Sequence, residues 1–356
     1  MKNSKRKPAT HKKKMFGVIG LVGLLVVGGL LWWGYLKIFK PNVRIENEQG
    51  KTYLYVHTGA TFEQVLSSLT ANKYLCDPQS FEWMAVKMNY PMHIKPGRYK
   101  ISDGMTNRQL LNMLRAGEQE PVKVIFNSLR FKHELASVVG KQIEADSMEI
   151  IRLLNDEDFL KKLGGFNKET AQALFIPNTY ELYWNTSAEQ FINKMYKEYQ
   201  KFWNDKRKKQ AELIGMTPAQ VSTLASIVEE ESQKKSERPV IAGVYINRLK
   251  KDMLLQADPT VKFAWGDFSI KRIYEKYTLV DSPYNTYKYT GLPPGPICIP
   301  SISALDAVLN YQKHEYIYFC AKEDFSGYHN FARTVEQHNQ NAQKYRRALT
   351  KAGIRR

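Results

Sequence analysis

Cysteine is scarce in this sequence of 356 residues, and no acidic residue precedes position 46. Three cysteines, at 76, 298 and 320, are too few for a disulfide framework. Their wide separation excludes the closely spaced ligand pairs of structural zinc sites. Cys76, Cys298 and Cys320 therefore form one bridge at most or remain free thiols, and the sequence leaves this choice open.

Acidic charge is also scarce near the amino terminus, which makes the charge distribution strongly asymmetric. The chain has 53 Lys and Arg against 35 Asp and Glu, a net charge of +18. Ten basic residues precede the first acid, Glu46, and subtracting them leaves +8 for all the rest. A nucleic-acid-binding protein would spread basic charge over a folded face. We therefore expect no nucleic acid partner.

The sequence has one long uncharged apolar run, residues 15–36. Twenty-two residues in a helix extend about 33 Å, which is enough to cross a bilayer core of about 30 Å. A cleaved signal peptide is the alternative, but the run is too long and no small-x-small site follows it before Lys37. Seven basic residues precede the run, so we expect a single-pass anchor with a cytoplasmic tail, 1–14, and everything after it outside.

Two folded regions are predicted after the anchor. Residues 42–118 contain a strand, helices and a second strand, which indicates a small α+β domain. Residues 119–352 alternate helical and strand patterns and form a larger mixed α+β domain. The expected fold class is α+β with one membrane helix at the amino terminus.

The most informative segment of the larger domain begins at Thr217. Thr217, Pro218 and Gln220 give a capping box with proline at the first helical position. The apolar stripe that follows ends at Val228, before three consecutive glutamates. At about 100° per residue, Glu230 lies opposite the stripe, which predicts exposure to solvent. Glu229 and Glu231 border the stripe on either side, so helical geometry alone allows either to face a cleft.

Polar segments downstream complete the predicted cleft. A helix is expected over 237–250, and another begins at Asp258, read as an acidic N-cap before Pro259. Residues 282–300 contain five prolines and predict an irregular, rigid loop whose polar residues line a binding groove. His329 and His338 are too far apart for a helical zinc motif, so we predict no metal site and no cofactor.

Four segments in this part of the chain carry a resemblance to a known family. ASIVEEES, SERPVIAGVYINRL, LLQADPTVKFAWG and SPYNTYKYTGLPPGPI follow one another over roughly 120 positions. They resemble the signatures of the endolytic murein transglycosylases, also called YceG-like proteins. The resemblance, rather than helical geometry, selects Glu229 as the catalytic acid. It also implies that residues 42–118 are LysM-like, a module that binds N-acetylglucosamine-containing chains, with a spacer domain as the alternative.

The implied reaction cuts the β-1,4 bond between N-acetylmuramic acid and N-acetylglucosamine in nascent peptidoglycan glycan strands. One glutamate protonates the bridging oxygen, and the muramic C6 hydroxyl closes a 1,6-anhydro ring without water. The resemblance implies action at the bacterial cytoplasmic (inner) membrane as a terminase of glycan elongation, with glycan polymerases and penicillin-binding proteins as partners. The candidates for binding substrate are Glu231, Asn247, Gln256, Asp258, Thr260, Tyr284, Asn285, Thr286, His338 and Asn339.

Two alternatives remain open from the sequence. A muramidase would use Glu229 with a second carboxylate such as Asp258 and leave a reducing end. A membrane-anchored peptidoglycan-binding or scaffold protein would bind glycan without turnover. The reaction products distinguish a transglycosylase, a muramidase and a binding protein without turnover.

Overall fold

The computed structural model describes residues 10–270 and 272–354. The first helix, α1, spans Thr10–Phe39 and extends past both ends of the predicted run 15–36. Among the described residues it is the one helix long and apolar enough to cross a membrane, over Leu21–Phe39. This is compatible with an anchor or a signal sequence. Residues 1–9 of the predicted cytoplasmic tail lie outside the described residues.

The chain divides into two compact units, and the first comprises Met1–Val122 together with Tyr183–Asn185. Beyond α1, strands β1 (Lys51–Val56) and β2 (Gly97–Ser102) pair antiparallel, with Lys51 opposite Ser102 and Val56 opposite Gly97. Three helices pack a core against this pair that includes Leu54, Tyr99 and Leu110. The LysM-like character of the region and its boundaries, 42–118, remain predictions. The elements after α1 are β1 Lys51–Val56, α2 Phe62–Ala71, α3 Pro78–Lys87, β2 Gly97–Ser102 and α4 Asn107–Ala116.

The second unit comprises Lys123–Leu182 and Thr186–Arg356 and is mainly helical. Its strands form two two-stranded sheets. Strand β3 (Val122–Phe126) pairs with β4 (Asn178–Leu182), and β5 (Tyr318–Ala321) pairs antiparallel with β6 (His329–Ala332). A mixed α+β architecture with one apolar helix at the amino terminus is therefore confirmed. The elements are β3 Val122–Phe126, α5 Lys132–Gly140, α6 Ser147–Leu153, α7 Glu157–Lys162, β4 Asn178–Leu182, α8 Ala188–Phe202, α9 Asp205–Ile214, α10 Pro218–Glu231, α11 Arg238–Lys250, α12 Asp258–Trp265, α13 Glu275–Thr278, α14 Ile302–Leu309, β5 Tyr318–Ala321, β6 His329–Ala332 and α15 Val335–Lys351.

The central element of this unit is α10, which is buried along most of its length. The predicted capping box is present, because Thr217 accepts from the amide of Gln220 and the Gln220 side chain accepts from the amide of Thr217. Every residue from Val221 to Val228 is buried, including hydroxyl residues. Ser226 satisfies its hydroxyl by donating to the Thr223 carbonyl at 2.7 Å and accepting from an amide of the proline-rich loop. A helix enclosed in this way gives its carboxyl-terminal glutamates fixed positions.

The start of α12 differs from the prediction. Asp258 is the first helical residue rather than the N-cap, a position held by Ala257 without a side-chain cap. The carboxylate of Asp258 instead accepts a hydrogen bond from the hydroxyl of Tyr287. The expected capping role of Asp258 is therefore wrong.

All three cysteines are free thiols. Cys298 is buried, Cys320 is half-buried and Cys76 is exposed. Burial raises the pKa of the Cys298 thiol well above its ordinary value. Cys298 therefore behaves as an inert core residue.

Candidate active site

Three consecutive glutamates at the end of α10 bind three different partners. Because successive helical residues are rotated by about 100°, adjacent side chains leave the helix in different directions. Glu229 faces the beginning of α11 and the segment before α14. Glu230 faces Arg130, and Glu231 faces Tyr245 on α11. The three carboxylates therefore have separate environments and separate roles.

Glu229 is held by protein donors on both of its oxygens. Oε2 accepts from the amide of Ser301 at 2.6 Å, and Oε1 lies 3.5 Å from Nη1 of Arg238. Its side chain is only 13% exposed. Arg238 in turn donates to the carbonyl of Ser232, just beyond the end of α10. These contacts join the ends of three helices, and they use the atoms that a catalytic acid would present to a sugar.

The predicted exposure of Glu230 is wrong. Its Oε2 lies 2.9 Å from Nη2 of Arg130, and its side chain is 22% exposed. The guanidinium of Arg130 also lies 4.5 Å from the ring centroid of Phe268. A basic side chain from elsewhere in the unit therefore covers the face that helical geometry assigned to solvent.

Glu231 lines a cavity of about 430 Å³ on the other side of the helix end. The cavity is formed by α10, α11, α15, strand β5 and the segments around 256 and 287. Its walls combine carboxylate, guanidinium, imidazole, amide and phenol groups, which suits a polar ligand such as a sugar. The lining residues are Glu231, Tyr245, Arg248, Leu255, Gln256, Asp258, Tyr287, Tyr318, Phe319 and His338.

The carboxyl group of Glu231 has a strongly raised pKa. The pKa is raised to about 7, chiefly by burial and in smaller part by the nearby charge of Asp258. A hydrogen bond from the Tyr245 hydroxyl to Oε1, 2.7 Å long, acts in the opposite direction and lowers the pKa. Glu231 therefore carries a proton for a substantial fraction of the time near neutral pH, as a general acid requires.

Asp258 and Tyr287 form a second polar pair in the cavity. The hydroxyl of Tyr287 donates to Oδ1 of Asp258. Burial and the charge of Asp258 raise the pKa of Tyr287, so the phenol remains protonated. Two acidic residues, Glu231 and Asp258, thus line the same cavity with different hydrogen-bond donors.

Arg248 places a positive charge in the cavity wall and connects three segments. Its Nε donates to the carbonyl of Ile317 at 2.7 Å. Its Nη1 donates to the carbonyls of Leu254 and Leu255 at 3.0 Å and to the Gln256 side chain at 3.2 Å. Arg248 therefore both fixes the cavity walls and supplies a cation close to Glu231.

His338 reaches the cavity from α15. Its ring stacks on Tyr318 with centroids 5.3 Å apart. Burial, followed by the charges of Arg248 and Arg346, lowers the pKa of His338. Its buried Nδ1 has no hydrogen-bond partner among residues 10–270 and 272–354. The free nitrogen of a neutral imidazole can donate a hydrogen bond to a ligand or accept one from it, depending on the tautomer.

The other predicted binding residues of the 256–286 region have structural contacts. Thr286 accepts from the amide of Ala257 at 3.0 Å, and its hydroxyl lies 2.9 Å from that of Thr260. Asn285 is buried and donates to the carbonyls of Thr278 and Val280, which precede the loop. The ring of Tyr284 packs on Phe263. These residues join the proline-rich loop to α12 and thereby position Gln256, Asp258 and Tyr287.

Two further predicted residues lie outside the lining of the cavity. Asn247 donates to the carbonyls of His314 and Tyr316 at 2.7 and 3.0 Å, so it holds the segment that leads into β5. Asn339 is exposed on α15, next to His338. Of the predicted site residues, the structure brings together Glu231, Gln256, Asp258 and His338.

The predicted site residues did not include Tyr245, Arg248, Leu255, Tyr318 or Phe319, which also line the cavity. Tyr245 and Arg248 are three positions apart on α11 and therefore share a face of that helix. That spacing was visible, but nothing in the sequence placed this face opposite Glu231. Tyr318 and Phe319 come from β5, far along the chain. Only tertiary packing brings them to α10.

No group of three or more His, Cys, Asp or Glu side chains able to hold a metal ion occurs in the part of the chain that the structure describes. The absence of a metal or cofactor from the reaction remains a prediction. The acid–base groups of the cavity are all side chains of the protein itself.

Residues 54–344 match the YceG-like family. An endolytic murein transglycosylase of Bacillus subtilis is 29% identical over 340 residues, covering 90% of this chain and 91% of the relative. A protein of the same name from Streptococcus pneumoniae (strain D39) is 26% identical over 367 residues. That alignment covers 93% of this chain and 65% of the relative, so the chain spans just under two thirds of the pneumococcal protein.

A crystal structure of a putative yceG-like protein from Listeria monocytogenes is similar to the described fold. The TM-score is 0.54 at 27% sequence identity, and the match covers 82% of this chain and 99% of the Listeria chain. The family match extends over most of both units and includes every residue that lines the cavity around Glu231. The chain belongs to the YceG-like family.

Proposed function

We propose that this protein is a lytic murein transglycosylase in which Glu231, rather than Glu229, is the catalytic acid. The observation that carries the assignment is the cavity, in which a partly buried Glu231 with a raised pKa faces other polar groups. Glu229 lies outside this lining and is bound to Arg238 and Ser301. The names of the curated relatives support the enzyme class, since both are called endolytic murein transglycosylases.

The first step requires a protonated carboxyl group next to the glycosidic oxygen. Tyr245 donates to Oε1 of Glu231, which leaves Oε2 to carry the proton. Glu231 transfers that proton to the oxygen that links N-acetylmuramic acid to N-acetylglucosamine, and the bond from this oxygen to muramic C1 breaks. Positive charge then develops at C1. The ionised Glu231 is stabilised by Tyr245 and by the nearby charge of Arg248.

The second step closes the ring within the muramic residue. The Glu231 carboxylate accepts the proton of the C6 hydroxyl, and the C6 oxygen bonds to C1 to form the 1,6-anhydro end. This attack is intramolecular and gains from the effective concentration of the tethered hydroxyl. Glu231 ends the cycle protonated, so proton balance requires neither water nor a second catalytic carboxylate.

Asp258 also supports a second candidate, a two-carboxylate muramidase. It lines the same cavity as Glu231, and its charge acts on the Glu231 carboxyl group. In a hydrolase, Asp258 would activate a water or stabilise the cation, and the product would end in a reducing muramic residue. Because Tyr287 already donates to Asp258, we assign this carboxylate to electrostatic support.

The cellular setting follows from the apolar helix α1. We propose that α1 spans the bacterial cytoplasmic membrane once, with the amino terminus in the cytoplasm and the chain after α1 outside. Nascent glycan strands made at the membrane are then the proposed substrate, and cutting them terminates elongation. The proposed partners are glycan polymerases and penicillin-binding proteins, and residues 42–118 would bind glycan as a LysM-like module.

Product analysis tests the proposed reaction. The full-length protein in detergent is incubated with purified glycan strands, and the fragments are weighed by mass spectrometry. We expect internal fragments ending in 1,6-anhydromuramic acid. Fragments heavier by one water would favour the muramidase, whereas binding without cleavage would favour a scaffold protein.

A further inference from the structure

A second cavity, of about 300 Å³, lies in the first unit where α1 meets α3. It is remote in sequence from the active site and contains none of its residues. Two lysines and an indole contribute to its walls, next to polar groups of the following segment. The lining residues are Trp33, Lys37, Lys40, Pro41, Asn42, Cys76, Asp77 and Ser80.

A buried asparagine joins the end of α1 to this unit. Asn107 is 1% exposed, and its amide donates to the carbonyl of Lys37 at 3.3 Å and to the Ser80 hydroxyl at 2.8 Å. It also accepts from the side chain of Asn42 at 2.7 Å. Ile38 packs against the hydrophobic core of the unit. The end of α1 is therefore docked, and the cavity is preformed by that docking.

The cavity carries net positive charge. Nζ of Lys37 lies 4.8 Å from the ring centroid of Trp33 and 5.9 Å from that of Trp83, and the two indoles meet edge to face at 5.6 Å. Asp77 is the one acid of the lining, and its carboxylate caps α3 by accepting from the amide of Ser80. Two lysines against one capping carboxylate favour an anionic ligand.

The position of the cavity along α1 indicates the source of that anion. The uncharged run of the sequence ends at residue 36, so Trp33 and Lys37 lie on either side of the boundary of the apolar segment. Tryptophan and lysine at this point of a span lie at the level of the lipid headgroups. Headgroup phosphates of anionic lipids occupy the same level.

We propose that this cavity binds the headgroup phosphate of an anionic phospholipid in the outer leaflet. The proposal rests on the proposed membrane span of α1 and is independent of the catalytic assignment. Lys37 and Lys40 bind the phosphate, and the Trp33 and Trp83 rings contact the adjoining glycerol and acyl chain. A lipid bound in this cavity, between α1 and α3, would fix the orientation of the first unit on the membrane.

The exposed thiol of Cys76 provides a probe inside the cavity. Full-length protein carrying Cys320→Ser is inserted into nanodiscs of phosphatidylcholine with or without phosphatidylglycerol, and a neutral maleimide is added. We expect labelling of Cys76 to be at least about threefold slower with phosphatidylglycerol. A lysine pair variant, Lys37→Gln with Lys40→Gln, should abolish the difference.

Matched controls separate a bound lipid from surface charge. Lys87→Gln, an exposed lysine of the same unit outside the lining, should preserve the protection. In Cys76→Ser protein, a thiol introduced by Ser67→Cys measures the slowing that surface charge alone produces. Phosphatidylglycerol should slow the labelling of Cys76 more than the labelling of this thiol. Equal Cys76 rates in both lipids, or protection that survives the lysine pair variant, would overturn the proposal.

Two further measurements identify the source of the effect. Protection by inorganic phosphate alone in detergent, with none added by lipid, would overturn the lipid assignment. Co-elution with nanodiscs and glycan cleavage are measured on the same samples. If the protein inserts and cleaves glycan but shows no lipid selectivity, the lipid-binding proposal is wrong and the catalytic proposal is unaffected. If the protein does not insert into nanodiscs, the proposed membrane span is wrong.

Discussion

The hydroxyl of Tyr245 donates a 2.7 Å hydrogen bond to Oε1 of Glu231. This contact joins α10 to α11 at the edge of the cavity and involves one carboxylate oxygen. The bond stabilises the ionised form of Glu231, whereas burial stabilises the protonated form and has the larger effect on the pKa. Glu231 can therefore hold a proton near neutral pH and still be stabilised after releasing it.

Substitution of each glutamate in turn separates the two candidate acids. We expect Glu231→Gln to reduce the formation of anhydro ends by about 100-fold or more, because the amide cannot donate a proton as an acid. Glu229→Gln should retain most of the activity but lower the thermal stability, since it breaks the buried contacts with Arg238 and Ser301. Anhydro ends are counted by mass spectrometry and unfolding is followed by circular dichroism.

Glu230→Gln is the matched control, because this carboxylate pairs with Arg130 and lies outside the cavity lining. It should leave cleavage within about twofold of the original protein. Full activity in Glu231→Gln, or loss of activity only in Glu229→Gln with a native circular dichroism spectrum, would return the catalytic role to Glu229.

Removal of the Tyr245 hydroxyl should shift the pH dependence of cleavage. The hydrogen bond from Tyr245 lowers the pKa of Glu231, so Tyr245→Phe raises it. A hydrogen bond to a charged group contributes about 1.5 kcal/mol, which corresponds to about one pH unit. The decline in activity at alkaline pH should therefore move upward by about one unit in initial rates measured between pH 5 and 9.

Tyr318→Phe is the control for this variant, since Tyr318 lines the cavity but donates no hydrogen bond to Glu231. Its pH profile should coincide with that of the unmodified protein. A downward shift or an unchanged profile in Tyr245→Phe would show that the Tyr245–Glu231 bond does not control the acid.

The raised pKa of Glu231 also predicts how stability depends on pH. The pKa rises from an ordinary value of 4.5 to about 7 on folding, so between these values the native state binds more protons than the unfolded state. The free energy of unfolding therefore falls as pH rises from 4.5 to 7 and levels off above 7. The expected loss is about 3 kcal/mol at most, because each pKa unit corresponds to about 1.4 kcal/mol.

Glu231→Gln does not titrate, so its stability relative to the unmodified protein should increase over the same pH range. Urea unfolding of both proteins at pH 4.5, 6 and 8 measures the difference. A constant difference across this range would contradict the raised pKa, whatever the activity of the variant.

Local patterns predicted α10 well because the signals that determine it are local. The Thr217–Gln220 capping box and the positions of Glu229 and Glu231 on either side of the apolar stripe are properties of one helix. The choice between these two glutamates, in contrast, depends on residues outside α10. Arg238 and Tyr245 lie on another helix and determine which carboxylate faces the cavity. Family resemblance selected Glu229, and the contacts favour Glu231.

Polar residues of the proline-rich loop show a second limit of sequence reasoning. Asn285 and Thr286 have the side chains of a sugar-binding site, but such groups can equally satisfy backbone atoms of neighbouring segments. Asn285 donates to the carbonyls of Thr278 and Val280, Thr286 accepts from the amide of Ala257, and Tyr287 lines the cavity instead. Residue type cannot distinguish these uses, because they depend on the path of the loop.

The proline-rich loop also makes a close backbone contact that only glycine permits. Substituting this glycine, Gly295, by alanine adds one methyl group and tests the contact. A Cβ at Gly295 would overlap the carbonyl oxygen of Glu169, and backbone atoms cannot move aside as a flexible side chain does. We expect Gly295→Ala to destabilise the second unit by about 3 kcal/mol, at the upper end of the cost of overpacking. Gly266→Ala, at the end of α12, meets no atom within 4 Å but has a φ of +69°, so it should cost only about 1 kcal/mol. Urea unfolding of the two variants measures both values, and equal stabilities would show that the 295–169 contact relaxes freely.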